Sequence, residues 1–134
     1  MHNKDRKKEI WKIGSYLIIG GTTFLLYYFL LWCLFDFFSL NYAISVTCAY
    51  FFASAFHFLA NRNVTFKVGN GKYKRQIYYY LLVAFLNYLI QFGAINLLYG
   101  FLGINIYISA FVGIFITVIV GFTLLNNWVF KERL

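Results

Sequence analysis

Charged residues are scarce in this sequence, and acidic residues are the scarcest of them. Only 12% of the 134 residues are charged, and the acidic ones are Asp5, Glu9, Asp36 and Glu132. Soluble domains carry roughly 25% charged residues. A chain that is 62% hydrophobic cannot hide its apolar surface within one small globule. The composition therefore predicts an integral membrane protein, with lipid as its natural solvent.

The shortage of carboxylates also limits the chemistry that the chain can perform. The sequence offers no paired carboxylates, no nucleophile beside a base and no metal-ligand cluster. Its two cysteines, Cys33 and Cys48, lie in apolar runs without zinc or redox spacing and are interpreted as small buried hydrophobic residues. We expect no enzymatic activity, no metal and no cofactor.

Four apolar segments are long enough to cross a bilayer, which takes about 20 helical residues. They contain no Asp, Glu, Lys or Arg, and they cover residues 13–35, 42–60, 77–99 and 106–125. The first segment exceeds the apolar core of a signal peptide, about 7–15 residues, so we expect it to be retained. The pattern predicts an all-α membrane protein with a single transmembrane domain over residues 1–134.

The basic residues are distributed asymmetrically around these spans. All 12 fall in residues 1–12, 61–76 and 126–134, and the short turns 36–41 and 100–105 contain none. Lysine and arginine collect in cytoplasmic loops. We therefore predict that both termini and the central loop are cytoplasmic. The basic residues that give the net charge of +8 flank the apolar runs and do not cover one soluble face, so they do not indicate a nucleic-acid partner.

The chain contains an internal repeat with a shift of 64 residues. The polar matches are Asn41 with Asn105, Ser45 with Ser109, Asn63 with Asn127 and Lys67 with Lys131. Each half holds two spans, so both halves share one orientation, and such repeats are related by an axis along the membrane normal. The sequence therefore predicts two parallel-repeated helical hairpins.

Small residues recur every four positions on the second and fourth spans. They are Ser45, Ala49 and Ala53 on the second span, and Ser109, Gly113, Thr117 and Gly121 on the fourth. Small side chains let membrane helices approach closely. We expect these two spans to make the close helix contacts, within or between protomers.

Polar residues continue the four-residue spacing on the second span and also occur on the third span. The spacing after Ala53 reaches His57 and Asn61. On the third span, Asn87 and Gln91 lie four residues apart and share one helix face. Buried amides are costly in hydrocarbon, so they should face the protein interior, as interhelical links or as a polar path for a head group. His57 is interpreted as a helix-packing residue, with a proton relay as the alternative.

The second and fourth spans end in related motifs. Residues 58–66 read FLANRNVTF and residues 122–130 read FTLLNNWVF. Four spans with an F-x-x-N-R-x-W/V-x-F exit resemble the GtrA-like family, and the resemblance covers essentially the whole chain. The second copy has Leu125 and Asn126 where Asn and Arg would be expected, so the first copy is the expected main anion site.

The resemblance implies flipping of a polyprenyl-phosphate-linked monosaccharide across the bacterial cytoplasmic (inner) membrane. A separate membrane glycosyltransferase would then glycosylate a surface polysaccharide such as teichoic acid or O-antigen. The short chain with its basic central loop resembles the teichoic-acid-glycosylation members of the family.

The residues at the ends of the spans suit this task. Arginine presents a planar fork that matches phosphate oxygens. The loop lysines are interpreted as residues that set topology and attract anionic lipid, with concentration of the substrate anion as the alternative. Trp128 is interpreted as an interface anchor, with stacking on a sugar as the alternative. The expected phosphate- and sugar-binding residues are Arg62, Asn61, Asn63, Lys67, Asn87, Gln91, Asn126, Asn127 and Trp128, with His57, Lys72, Lys74 and Arg75 as further candidates.

Two other functions compete with flipping. The protein is alternatively a non-transporting scaffold for a glycosyltransferase. A small multidrug-type exporter is disfavoured because such exporters rely on a carboxylate in the first span, and this span has none. Four helices hardly enclose a sugar-sized channel, so we expect a homo-oligomer or a groove open to lipid. No energy-coupling motif is present, so transport would follow the substrate gradient.

Overall fold

The structure is a computed structural model that describes residues 2–65, 73–124 and 127. Its α-helices are α1 (His2–Trp32), α2 (Tyr42–Ala60), α3 (Tyr73–Ile95) and α4 (Ile106–Leu124), and the described residues contain no strand. Four helices are long and apolar enough to cross a membrane. The predicted fold class, an all-α protein with four transmembrane helices, is confirmed. The cytoplasmic orientation of the termini stays a prediction.

The helices form two compact units, which we call hairpin 1 (residues 1–71) and hairpin 2 (residues 72–134). In hairpin 1, α1 packs against α2, and in hairpin 2, α3 packs against α4. The predicted pairing of neighbouring spans is therefore confirmed. The axis that relates the repeats and the single domain over the whole chain stay predictions.

Three helices continue without a break into a π-helical turn. These turns are Cys33–Phe37 after α1, Asn61–Thr65 after α2 and Asn96–Phe101 after α3. The first candidate span therefore runs over Asn3–Phe37, 35 residues, and the third over Lys74–Phe101, 28 residues. A hydrocarbon core about 30 Å thick needs only about 20 residues of helix. The basic start of α1 must therefore project beyond the core.

The two hairpin turns have the same local geometry, one repeat apart. The Asn41 Oδ1 atom accepts a hydrogen bond of 2.8 Å from the Ala43 backbone N–H. The Asn105 Oδ1 atom accepts one of 2.8 Å from the Tyr107 N–H. Asparagine at this position satisfies an amide that has no partner within its helix. The repeat seen in the sequence thus has a structural basis: each asparagine starts the second helix of its hairpin.

The turns also match in the residue that reverses the chain. Ser39 has a φ of 52°, and Gly103, its repeat equivalent, has a φ of 68°. Glycine adopts this left-handed conformation at little cost, whereas other residues do so less readily. Hairpin 1 therefore makes with serine the turn that hairpin 2 makes with glycine.

The small residues of α2 and α4 lie in the interior. Ser45 and Ala49 on α2 are 0% exposed, and Ser109 on α4 is also 0% exposed. Gly113 lies directly against Gln91 of α3, because a Cβ atom added at Gly113 would come within 3.2 Å of the Gln91 Cα atom. Within hairpin 2, the predicted close helix contact is therefore a glycine set against the backbone of the neighbouring helix.

Candidate functional site

The motif at the end of the second span folds as the π-helical turn Asn61–Thr65, which packs against α1. The Asn61 Nδ2 atom donates a hydrogen bond of 3.0 Å to the His57 carbonyl oxygen. The Asn61 Oδ1 atom accepts one of 2.9 Å from the Thr65 hydroxyl. Asn61 is 0% exposed, so its amide is enclosed and bonded at both ends within the turn. Its hydrogen bonds hold the turn in shape.

Arg62 is the charged residue of this turn. Its side chain is only 7% exposed, and its Nη1 atom donates a hydrogen bond of 3.1 Å to the Asn63 Oδ1 atom. A guanidinium stays charged in proteins, and arginine is rarely this enclosed. Asn63 itself is exposed. The turn therefore holds a permanent positive charge, largely shielded from solvent, beside an exposed amide.

His57 lies one helical turn before Asn61. Its ring centroid is 5.5 Å from that of Tyr16 on α1, with the rings at 80° to one another. Edge-to-face contacts of this kind stabilise helix packing. Tyr16 is 5% exposed. The contact is consistent with the interpretation of His57 as a packing residue, and its role as a proton relay stays a prediction.

The basic start of α3 is exposed. Lys74 and Arg75 both lie on the surface of hairpin 2. The Arg75 guanidinium lies over the ring of Tyr79, 5.6 Å from its centroid, in a cation–π contact. Such a pairing of a basic and an aromatic side chain is typical of the membrane interface.

The side-chain amides of Asn87 and Gln91 on α3 are turned toward the protein interior. Gln91 is 2% exposed and Asn87 is partly buried. The Asn87 Oδ1 and Gln91 Nε2 atoms are both buried, and neither makes a hydrogen bond within the part of the chain that the structure describes. The sequence predicted either interhelical hydrogen bonds or a polar path for these amides. These two atoms do not form the interhelical hydrogen bonds.

Several predicted site residues lie outside the described residues. They are Lys67, Lys72, Asn126 and Trp128. Asn127 is described and exposed. Among residues 2–65, 73–124 and 127, no three His, Cys, Asp or Glu side chains come together as a metal site.

Sequence reasoning missed two residues that contact the predicted site residues Asn61 and His57. Thr65 is 2% exposed and bonds Asn61, although nothing marked it in the sequence except its spacing of four residues from Asn61. Tyr16 closes the contact to His57. Tyr80 lies 64 residues later, at the equivalent position of the repeat, and both tyrosines are buried, at 5% and 8% exposure. The repeat was therefore a usable signal for Tyr16.

Fold and site together define a small multi-pass membrane protein that holds an enclosed cation at the end of a spanning helix. A family model described as "GtrA/DPMS, transmembrane domain" matches residues 15–130. The chain belongs to this family, which confirms the resemblance to GtrA-like proteins. The family is one of membrane flippase-type proteins for glycosyl carrier lipids, generally transporters rather than catalytic enzymes. No curated protein and no solved structure matches the chain.

Proposed function

We propose that this protein flips a polyprenyl-phosphate-linked monosaccharide across the bacterial cytoplasmic membrane. The sugar would then reach a cell-surface polysaccharide, such as teichoic acid or O-antigen, through a partner glycosyltransferase. Family membership supports the class of substrate, a lipid-linked sugar. The observation that carries the proposal is Arg62, a cation that is 7% exposed at the end of α2.

Arg62 suits the phosphate of such a lipid. The substrate carries one anionic phosphodiester at the membrane interface, and a guanidinium binds phosphate oxygens through paired N–H groups. Attraction between charges is stronger where protein replaces water around them. The bond from Arg62 to Asn63, 3.1 Å long, orients one side of the guanidinium before the ligand arrives. The turn thus presents a charge whose position is already set.

The other basic residues would raise the local concentration of the anionic lipid at the membrane surface. Lys74 and Arg75 are exposed at the start of α3. We include Lys67 and Lys72 in this role because basic residues in a loop attract anionic lipid. In the second motif copy, Asn126, Asn127 and Trp128 would contact the sugar without a matching arginine.

The polyprenyl tail needs no enclosed channel. Large apolar side chains cover the outside of the helices, such as Ile18 at 72% exposure and Phe51 at 68%. The tail would stay among the lipid chains while the head group moves along a groove open to lipid, or between copies in a homo-oligomer. We propose no catalytic step and no coupling to an energy source. Consumption of the sugar on the far side would drive net transport.

The direct test uses purified protein in vesicles that carry a fluorescent polyprenyl phospho-hexose in both leaflets. A membrane-impermeant quencher reports how fast inner-leaflet lipid reaches the outer leaflet. We expect wild-type protein to accelerate this exchange above that of protein-free vesicles. If purified protein leaves the rate unchanged, flipping is wrong and the scaffold alternative takes its place.

Arg62→Ala is the matching variant. We expect it to reduce the exchange rate at least about tenfold, because loss of a charged hydrogen-bonding partner costs roughly 1.5–3 kcal/mol. The control is Lys8→Ala, which removes one exposed positive charge on the same predicted side of the membrane. Equal rates for Arg62→Ala and Lys8→Ala would contradict a phosphate-binding role for Arg62.

A further inference from the structure

Two side-chain atoms of α3 are buried and have no hydrogen-bond partner among the described residues. They are the Asn87 Oδ1 atom, an acceptor, and the Gln91 Nε2 atom, a donor, and neither bonds any residue that the structure describes. At about 1.5 Å per residue, Asn87 and Gln91 lie roughly 20 and 25 Å along the helix from Lys74. The candidate span Lys74–Phe101 has 28 residues. The amides therefore lie in the middle of that span.

The neighbouring helix does not satisfy these atoms. At the level of Gln91, α4 presents Gly113, which offers backbone contact and no side chain. The polar side chains on either side of Gly113 bond their own helix. The Ser109 hydroxyl donates to the Asn105 carbonyl at 2.9 Å, and the Thr117 hydroxyl donates to the Ile114 carbonyl at 2.9 Å. The donor and the acceptor on α3 thus stay open.

Hairpin 1 shows that the scaffold does not require the amides. Thr23 and Tyr27 occupy the positions equivalent to Asn87 and Gln91, and Ala49 occupies that of Gly113. The Thr23 hydroxyl donates to the carbonyl of Ile19 at 2.7 Å, and Tyr27 buries a hydroxyl at the position of Gln91. The same helical hairpin therefore forms without buried amides. Unsatisfied amides are costly in hydrocarbon, so a ligand that bonds to the two amides of hairpin 2 would stabilise them.

We propose that Asn87 and Gln91 bind hydroxyl groups of the sugar as it crosses the membrane. This inference rests on the proposed flipping function. A hydroxyl both donates and accepts, so it complements an acceptor and a donor one helical turn apart. The phosphate carries only acceptors and finds no match at Asn87 Oδ1. The pair would therefore recognise the sugar and discriminate between patterns of hydroxyl groups, separately from the phosphate contact at Arg62.

The sugar reaches this pair through a local separation of α3 and α4. Gln91 is 2% exposed, so it is enclosed in the state described. The contacts that must open include the one between Gln91 and Gly113, a residue without a side chain. Hydrogen bonds to the sugar would compensate the lost packing, because they satisfy two atoms that are open in the closed state.

The first test separates a ligand site from a structural link by thermal unfolding in detergent. In the double variant Asn87→Leu and Gln91→Leu, we expect a melting temperature equal to or above that of wild type, because two unsatisfied polar groups are removed. Asn61→Leu is the comparison, since its amide is bonded at both ends. A fall as large as that of Asn61→Leu would show that the α3 amides are structural and would overturn the inference.

The second test measures selectivity in the same vesicles, with a polyprenyl phospho-hexose and its single-deoxy analogues. Wild type should move the full hexose faster than at least one analogue. The double variant should move the hexose about tenfold more slowly, since roughly two hydrogen bonds are lost, and should treat all these lipids alike. If wild type flips the hexose and the double variant keeps its rate and preference, this inference is wrong while flipping stands. If wild type flips none of these lipids, both the flipping function and this inference are wrong.

Discussion

Asn61 and Arg62 are neighbours in the motif but lie in different surroundings. The Asn61 amide is 0% exposed and bonded to His57 and Thr65. The Arg62 guanidinium reaches the exposed Asn63 instead. A ligand at the end of α2 would therefore meet Arg62 and Asn63 first. We infer that Asn61 positions the turn for Arg62 and does not itself contact the ligand.

This inference predicts that Asn61 matters for stability more than Asn63 does. Asn61→Ala should lower the free energy of unfolding by about 1–3 kcal/mol, because it leaves the enclosed Thr65 hydroxyl without its acceptor. Asn63→Ala should lower it by less, because the acceptor that it takes from the Arg62 Nη1 atom lies at an exposed position, where water can replace it. Denaturant unfolding in detergent micelles, followed by tryptophan fluorescence, measures both. Equal losses of stability would contradict the positioning role of Asn61.

At the scale of single elements, α3 and α4 pack closely because residue 113 is a glycine. A Cβ atom at Gly113 would lie 3.1 Å from the Gln91 Cγ atom and 3.2 Å from its Cα atom. The first neighbour can rotate away, but the second is backbone and moves only with its helix. Hairpin 1 carries Ala49 at the equivalent position, so its two helices meet there without requiring glycine.

Gly113→Ala should therefore push α3 and α4 apart by a few tenths of an ångström. We expect a loss of about 1–3 kcal/mol in stability, the usual cost of overpacking a tight contact. Gly93→Ala is the control on α3, because a Cβ atom there meets no atom within 4 Å. Thermal unfolding of both variants in one detergent gives the comparison. If Gly113→Ala is as stable as Gly93→Ala, the contact is looser than described.

At the scale of the whole molecule, charge is the clearest asymmetry. The described turn residues between α1 and α2 and between α3 and α4 contain no Lys or Arg, whereas the start of α1 and the start of α3 are basic and exposed. Basic segments stay on the cytoplasmic side during insertion. This asymmetry still predicts that the termini and the central loop are cytoplasmic.

Cysteine labelling in intact cells tests that orientation. Both native cysteines are replaced by alanine, and one cysteine is added as Lys8→Cys, Lys74→Cys or Leu102→Cys, at positions that are exposed. A membrane-impermeant maleimide should label Leu102→Cys in intact cells, and the two lysine positions only after permeabilisation. The reverse pattern would place the termini outside and move Arg62 to the opposite face.

Much of the fold followed from the residues alone, because its causes are local. Span length, the excess of basic residues on one side and the asparagine at the start of each second helix all act over a few residues. The spans, the hairpins and the Arg62 motif were therefore predictable. The π-helical turns after α1, α2 and α3 were not, since helix type depends on how the carbonyls at each helix end are satisfied.

The roles within the site depended on which side chains the folded helices enclose. The sequence marked Asn61 and Asn63 alike as partners that flank Arg62, but folding encloses the first and leaves the second exposed. It marked Asn87 and Gln91 as neighbours on one helix face but did not decide between interhelical links and a polar path for a head group. Only the approach of α4 at Gly113 showed a buried donor and acceptor without a bond among the described residues. Composition and periodicity act along the chain and define a membrane protein of four helices, whereas hydrogen-bond satisfaction requires helices brought together in space.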